Sequence, residues 1–421
     1  MKNIISICLG LLISASATLV THASESTYIE HTNINPALLY YQGVCFMKED
    51  KATQDYLFET NWIGKHLPKE YGEKIGTYST RLRFFRMAAR QKVPCDWGTD
   101  FQGYSTILSH YALMKQMAIT AKAEAEWFLQ NPENGQNEVA AEDYIAMIAL
   151  AHNVGNDKFL ISVLVQGAIE AMTCSAIAFN YNQFPPALLS KIADGFDSTP
   201  PRITVVQALP KEKEGVEWLT KQILEWKKTY GNDDAKVLKE FMEKEFMEEM
   251  IPQNSEFEAN AQVISKAVGG TTDGLIRIHS ETASIYDRIA QIGNLPYPEF
   301  TQKMDQYRAE INESTNPLMK IVFAPLDRAF QRDWLVRTRL AMIRAAAEYK
   351  AHGEAGFKTV KDPCGNGPFK FERYTFEGKD RGFKLTSALT YLNSPATLIF
   401  LEKKGTPIYV DGAHAGEAMP K

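Results

Sequence analysis

The sequence predicts a mainly α fold of antiparallel helical hairpins with a small β-hairpin appendage near the C-terminus. Apolar residues recur at spacings of three and four over most of residues 36 to 350, which is the period of one helical face. Short turn signals separate these stretches, as expected for antiparallel neighbours. Beyond Gly353 the pattern alternates with a period of two, which is typical of strands. No regular repeat is present, so an irregular α-solenoid or an α–α bundle is expected.

The first helices follow from caps and apolar stripes. Asn35-Pro36 supplies a cap and a first-turn proline for a helix over residues 37 to 47. Tyr71 to Arg90 is predicted as one helix, because a single apolar stripe runs through it. A longer helix is predicted from Tyr104 to Phe128, and another from Val139 to Val154.

The next segment is predicted to be the central buried helix. Phe159 to Phe179 contains one charged residue, Glu170, and is apolar nearly all round, which is typical of a buried helix. Gln166, Glu170 and Cys174 are spaced four apart and therefore share one face of this helix.

The remaining elements are helices up to residue 350 and strands after it. Proline pairs at Pro185-Pro186 and Pro200-Pro201 are predicted as connectors. The last long helix is predicted over Ala329 to Tyr349. The turn at Asp362, Pro363 and Cys364 precedes an expected hairpin, with further strands over residues 397 to 402 and 407 to 411.

The N-terminus has the features of a secretory signal peptide. Lys2 is followed by an apolar run over residues 4 to 20 and by small side chains before Ala23. We therefore predict export to the periplasm or beyond, with membrane contact only before cleavage; an uncleaved anchor is the alternative. The predicted organisation is a signal peptide at 1–23, a helical domain at 24–355 and a small β-containing appendage at 356–421.

The composition and the motifs of the sequence disfavour nucleic-acid partners and the common cofactor and metal sites. The net charge of −5 disfavours general nucleic-acid binding. Phosphate loops, dinucleotide fingerprints, nucleophile elbows and zinc-protease motifs are not found, and the eight histidines form no helical pair. No cofactor or metal is expected. In an oxidising compartment, Cys45, Cys95, Cys174 and Cys364 permit two disulfides whose pairing spacing alone does not give.

Glu170 is the strongest candidate for unusual chemistry. A carboxylate in a buried helix is paired, hydrogen-bonded or protonated, and a raised pKa would suit general acid or base catalysis. The alternative, which we favour, is a structural ion pair with an arginine of the last long helix. Arg337 and Arg344 lie seven apart on one face there.

Cys95, Asp96, Trp97 and Gly98 form a motif that is either reactive or structural. A nucleophilic cysteine needs a thiolate and a base, and the nearest downstream histidine is His110. As a corner, the motif would use Trp97 as an anchor, Asp96 as a turn acceptor and Gly98 as a hinge. The sequence favours the corner.

Three arginines suggest a possible basic binding surface. Arg83, Arg86 and Arg90 are spaced three and four apart, opposite the apolar stripe. The favoured interpretation is a solvated face that pairs with acids.

Several segments together resemble an uncharacterised family of exported bacterial proteins. They are CDWG, AAEDYIAMIALAHNVGNDKFLISVLVQGAIEAM, the proline-pair connector, RTRLAMIRAAAEYKAHG, DPCGNGPFKF and GFKL. The resemblance covers most of the mature chain and implies architecture without assigning a catalytic residue. The segment DPCGNGPFKF is also similar to the C-terminal hairpin of major pseudopilins, but Cys364 and the lack of a prepilin leader set it apart.

Two functions follow as hypotheses. The first is a noncatalytic helical scaffold that binds a protein or peptide partner. The alternative is an extracytoplasmic, hydrolase-like enzyme that uses Glu170 or Cys95 in an interhelical cleft. The missing catalytic motifs favour the scaffold.

Overall fold

The computed structural model describes residues 33–46, 50–58, 62, 65–103, 106–132, 136–231, 233–242 and 263–403. The predicted signal peptide lies outside these residues. The fold is mainly α with one small antiparallel sheet near the C-terminus, which confirms the predicted fold class. The helices are α1 (Pro36–Cys45), α2 (Lys51–Phe58), α3 (Lys69–Gly76), α4 (Ser79–Ala89), α5 (His110–Gln130), α6 (Gln136–Gly155), α7 (Leu160–Phe179), α8 (Pro186–Asp197), α9 (Val205–Thr229), α10 (Asp234–Phe241), α11 (Thr272–Glu281), α12 (Ala283–Gly293), α13 (Tyr297–Glu313) and α14 (Pro317–Phe357).

Helix α7 lies at the centre of the helical layers. It packs against α6, α14 and α9, and its C-terminal end contacts the sheet. Ile169, Cys174 and Ile177 have no exposed surface. A nearly uncharged helix is suited to such a position, and half of its residues are buried.

Two helix boundaries predicted from the sequence are wrong. The stretch from Tyr71 to Arg90 is two helices, since the Tyr78 N–H donates to Ile75 O and closes a turn between α3 and α4. The long helix begins at His110 rather than Tyr104, and Ile107 before it is 82% exposed. In both places the apolar spacing continues across non-helical backbone, so spacing alone does not reveal the break.

The last long helix extends beyond its predicted ends. Helix α14 includes Pro325 and runs to Phe357, with non-helical backbone at Gly353, where φ is +65°. A proline normally ends or kinks a helix, which explains the later start predicted from the sequence.

The sheet is a three-stranded meander, in which the predicted hairpin is extended by a third strand close to the one expected over residues 397 to 402. Strands β1 (Lys370–Phe376), β2 (Lys379–Tyr391) and β3 (Ser394–Leu401) pair in that order. Phe371 pairs with Leu385 on β2, and Leu385 pairs with Leu398 on β3. The strand expected at 407–411 lies outside the described residues.

The sheet packs directly on the helices. Phe383 of β2 stacks on Phe400 of β3, with ring centroids 5.0 Å apart, and both rings meet the edge of Tyr181 beyond α7. Tyr349 of α14 lies 5.0 Å from Phe383, centroid to centroid. One hydrophobic cluster therefore includes both the sheet and the central helices.

Helix α7 is also the one helix in the described residues that is long and apolar enough to cross a membrane. It has 20 residues and a mean hydropathy of 1.6, and half of that stretch is buried inside the fold. The buried core helix of a water-soluble protein has the same length and composition, so these two properties do not decide between the two environments.

Candidate functional site

Glu170 lies in a buried hydrogen-bonded cluster between α6, α7 and the segment that joins α8 to α9. Arg202 of that segment donates to both carboxylate oxygens, from Nε at 2.8 Å and from Nη2 at 3.0 Å. His152 of α6 places Nε2 3.0 Å from Glu170 Oε1. The Glu170 carboxylate has no exposed surface, so it is enclosed by its partners.

The same segment is held at two further points. His152 Nδ1 lies 2.6 Å from Pro200 O, and the Gln166 side chain donates from Nε2 to Ile203 O at 2.8 Å. Gly155 of α6 allows this approach, since a Cβ there would lie 2.0 Å from the Gln166 side-chain oxygen. We call the contacts of Gln166, Glu170 and His152 with residues 199–203 the connector clamp.

The clamp continues into α14. Arg202 Nη1 donates to Asp333 Oδ1 at 2.6 Å, and Asp333 also accepts from Arg337. Two carboxylates and two guanidinium groups therefore alternate through the cluster and balance in charge. Such pairing is what buried charges require.

The electrostatics of the clamp keep Glu170 ionised. Burial acts to raise the pKa of Glu170, but the Arg202 charge and the His152 hydrogen bond outweigh burial and hold this pKa below its ordinary value. An ionised, enclosed carboxylate of this kind has no proton to give as a general acid.

The predicted partner of Glu170 is wrong, although the predicted kind of interaction is present. Arg337 bonds Asp333, and Arg344 bonds the Ala193 carbonyl and Asp197 at the end of α8. The carboxylate instead meets Arg202, because the chain returns to α7 directly after the proline pair at 200 and 201.

A pocket of about 190 Å³ opens between α7 and α14, beside the clamp. We call it the α7–α14 pocket. Small and aliphatic residues line most of it, and Arg202, Asp333 and Arg332 supply its charged atoms. At Gly167 there is room for a further atom, since a Cβ there would meet only a Val336 methyl group, at 3.7 Å. The lining residues from α7 are Val163, Leu164, Gly167, Ala168 and Ala171.

The motif at residues 95 to 98 joins three helices. Trp97 donates from Nε1 to Asn153 O of α6 at 2.8 Å, and stacks on Tyr40 of α1 and His110 of α5 with centroids 5.7 and 4.9 Å away. The Asp96 side chain accepts from Gly98 N at 2.9 Å, and Gly98 has φ of +67°. This is the geometry of a pinned turn.

Cys95 is placed poorly for nucleophilic chemistry. Burial is the main cause that raises the pKa of its thiol well above the ordinary value, whereas a reactive cysteine needs the thiolate. His110, the nearest downstream histidine, stacks on Trp97 and places Nε2 3.0 Å from Asp157 Oδ2. The His110 ring is therefore already in contact with the Asp157 carboxylate and the Trp97 ring.

The disulfides permitted by the sequence are not formed. Cys45, Cys95, Cys174 and Cys364 are free thiols, and all but Cys45 are buried. Burial, as the main cause, raises the pKa of Cys174 to about 12, and that of Cys364 likewise to about 12. These two thiols are therefore protonated at neutral pH.

Two of the three arginines that the sequence suggested as a basic surface, Arg86 and Arg90, are ion-paired. Arg90 pairs with Glu142 at 2.8 Å, while Arg83 is exposed over the Phe84 ring. Arg86 points inward, where one nitrogen, Nη1, lies 2.6 Å from a carboxylate oxygen of Glu124 and 2.6 Å from one of Asp143.

The turn at residues 362 to 364 positions the bulge of β2. Asp362 accepts hydrogen bonds from Cys364 N, Ser387 Oγ and Ala388 N, at 3.0, 2.8 and 2.7 Å. The register of the β2–β3 pair shifts at the same place, between Thr386 and Thr390. Pro363 lies within this turn.

Several site residues were missed by sequence reasoning. None of the three partners in the clamp, His152, Arg202 and Asp333, was singled out from the sequence. Only three sequence features taken together could have predicted the clamp. They are a buried acid, a glutamine one turn before it, and a Pro-Pro-Arg segment downstream. Gly167 and Arg332 carried no motif, because a pocket depends on the packing of distant helices. Within the described residues, no group of three or more potential ligands is placed to hold a metal ion.

Comparison with known proteins gives no relative from which a role is transferable. No family model, no curated protein and no solved structure matches this chain. The class defined here is therefore only a mainly α protein with a small antiparallel sheet and a buried charge cluster.

Proposed function

We propose that this chain is an exported, noncatalytic helical protein that binds a protein or peptide partner in the α7–α14 pocket. The observation that carries the proposal is the pocket itself, which is apolar over most of its lining and about 190 Å³ in volume. Pockets for small-molecule ligands usually measure about 300 Å³ or more, whereas a buried side chain commonly anchors a protein interface. Export rests on the sequence of residues 1 to 23.

The candidate reactive groups support binding over catalysis. Glu170 is ionised and has no exposed surface, and burial keeps the Cys95 thiol protonated. The clamp thus fixes the position of α7 and the shape of the neighbouring pocket, while its charges are used in pairing. The enzyme hypothesis has no comparable geometric support within the described part of the chain.

Filling the pocket provides the test. Gly167→Leu places a side chain into the pocket, while Gly167→Ala adds one methyl group at ordinary contact distance from Val336. The alanine variant is the matched control, and it should gain about 0.5 to 1 kcal/mol of stability from helix propensity. Both variants are compared with the native chain on an immobilised peptide library, after thermal unfolding has shown that each is folded.

We expect the native chain and Gly167→Ala to select the same peptides, and Gly167→Leu to bind them at least about tenfold more weakly, as for a lost anchor. Equal binding by all three proteins, or selection of no peptide by the native chain, would contradict the proposal. If the native chain hydrolyses a peptide or ester and Glu170→Gln does not, the result would instead support the enzyme hypothesis.

A further inference from the structure

We propose that the partner segment is acidic as well as apolar, with one bulky aliphatic side chain in the α7–α14 pocket and a carboxylate beside it that pairs with Arg332. This inference rests on the proposed function and names the chemistry of the partner. Its two parts come from separate observations, the volume of the pocket and the charge at its rim.

The volume fits one side chain. A dry cavity of about 150 Å³ lined by aliphatic residues accommodates a benzene molecule, so about 190 Å³ suits a leucine, isoleucine or methionine side chain. The backbone of α7 is approachable there because the lining residues Gly167, Ala168 and Ala171 are small.

The floor of the pocket contributes little net charge. Arg202 is bonded to Glu170 and Asp333, and Asp333 is bonded in turn to Arg337. Positive and negative charges are therefore matched within the floor, and a partner placing a charge there would compete with existing pairs. Such exchange is unfavourable in a buried cluster.

The rim, in contrast, carries unmatched positive charge. Arg332 lines the pocket, is exposed, and forms no ion pair or hydrogen bond with a described residue. Arg328, one turn earlier on α14, is likewise exposed and without such a contact, but it does not line the pocket. A carboxylate next to the anchoring side chain would meet Arg332 in the planar, two-bond geometry that arginine favours.

The experiment uses fluorescein-labelled Gly-Ser-Leu-Asp-Ser-Gly and two variants of that peptide, Leu→Ala and Asp→Asn. Binding to the full folded chain is measured by fluorescence anisotropy at low salt. The proteins are the native chain, Arg332→Gln, Arg328→Gln and Gly167→Leu. Arg328→Gln is the matched control, because it removes the same charge from the same helix outside the pocket lining.

For the native chain we expect the Asp→Asn peptide to bind about twofold to fivefold more weakly, the range of an exposed ion pair. In Arg332→Gln the Asp and Asn peptides should bind equally, while Arg328→Gln should keep the difference. The difference should also shrink as salt is added, since an exposed pair is screened.

Each contrary result has a distinct meaning. If the Asp and Asn peptides bind the native chain equally while Leu→Ala and Gly167→Leu abolish binding, the acidic partner is wrong and the proposed function stands. If Gly167→Leu leaves the binding of every peptide unchanged, or none binds, the proposed function fails as well. Displacement of the peptide by decanoate at a lower concentration than by unlabelled peptide would overturn the inference in favour of a lipid.

Discussion

At the residue scale, two fully buried carboxyl groups are driven in opposite directions by their surroundings. Glu170 has Arg202 on both oxygens and His152 beside one of them, and these partners hold its pKa below the ordinary value despite burial. Asp143 is raised well above its ordinary pKa by burial and by the neighbouring Glu124, with which it shares Arg86. The partners of Glu170 therefore favour its ionised form, whereas burial and Glu124 disfavour the ionised form of Asp143.

Removing the charge of Glu170 should be strongly destabilising. Glu170→Gln leaves Arg202 undercompensated, and breaking a buried pair costs about 3 kcal/mol or more. Because the pKa of Glu170 is depressed on folding, its contribution is present above the unfolded-state pKa of about 4.3 and is lost as pH falls. Urea unfolding from pH 8 to pH 3 should show the native chain and the variant converging in acid.

The control for this measurement is Glu225→Gln, which removes an exposed carboxylate paired with Lys228. Its unfolding free energy should match that of the native chain at every pH. A Glu170→Gln protein as stable as the native chain at pH 7 would show that the clamp does not depend on this charge.

Asp143→Asn should give the opposite dependence on pH. Its folded-state pKa is raised, so the native chain loses stability as pH rises above the unfolded-state value of about 3.9. The variant avoids that loss and should be more stable than the native chain at pH 8, because its neutral amide carries no charge that burial and Glu124 disfavour. The two proteins should be alike near pH 3.5.

Glu142→Gln, at a partly exposed residue that pairs with Arg90, serves as the comparison and should not change the slope. If Asp143→Asn is destabilised at pH 8 as strongly as Glu170→Gln, then the ionised form of Asp143 stabilises the fold, and the raised pKa of Asp143 is wrong.

At the element scale, helix α1 depends on a single capping residue. The Asn35 side chain accepts from Ala37 N at 3.1 Å and from Asp96 N at 3.0 Å, and it donates to Asp96 O at 2.7 Å. One side chain therefore both caps α1 and attaches it to the turn that contains Trp97. Ser109 at the start of α5 makes no side-chain capping bond.

Asn35→Ala should lower the unfolding free energy by about 1 to 2 kcal/mol, the upper part of the range for a lost cap, because the bonds to Asp96 are lost as well. Ser109→Ala should leave it unchanged, since that serine caps nothing. Both are measured by chemical denaturation. Equal effects of the two substitutions would argue against a special role for Asn35.

The elements differ in how far the sequence could predict them. The Asn35 cap and the buried helix α7 are local properties, encoded by a capping residue and by a nearly uncharged stretch. The break between α3 and α4 was not predictable from spacing, because Tyr78 is buried on the same stripe as its helical neighbours. The start of α14 was predicted too late, at Ala329, whereas the helix begins at Pro317 and continues through Pro325.

Contacts between distant segments were the least predictable. A structural role for Glu170 could be argued from burial alone, but the choice of Arg202 over Arg337 or Arg344 depends on the path of the chain after α8. Likewise, the sequence predicts a polar face on α7 but not the α7–α14 pocket, whose walls come from residues more than a hundred positions apart.

At the scale of the whole molecule, α7 links the parts of the fold. It packs on α6, α14 and α9, and its polar face holds the segment that leads into α9. Beyond its C-terminal end, Tyr181 contacts the rings of Phe383 and Phe400 in the sheet. The division into a helical domain and a β appendage stays a prediction, and this shared core favours unfolding of both together.

Hydrogen–deuterium exchange of the chain in detergent-free buffer tests this account most directly. The amides of residues 169 to 178, at the buried end of α7, should exchange only through global unfolding, as the slowest in the protein together with those of β2. Glu170→Gln should speed their exchange, whereas Glu225→Gln should not. Rapid exchange along α7 in the native chain, or protection that requires detergent micelles, would contradict the central position assigned to this helix.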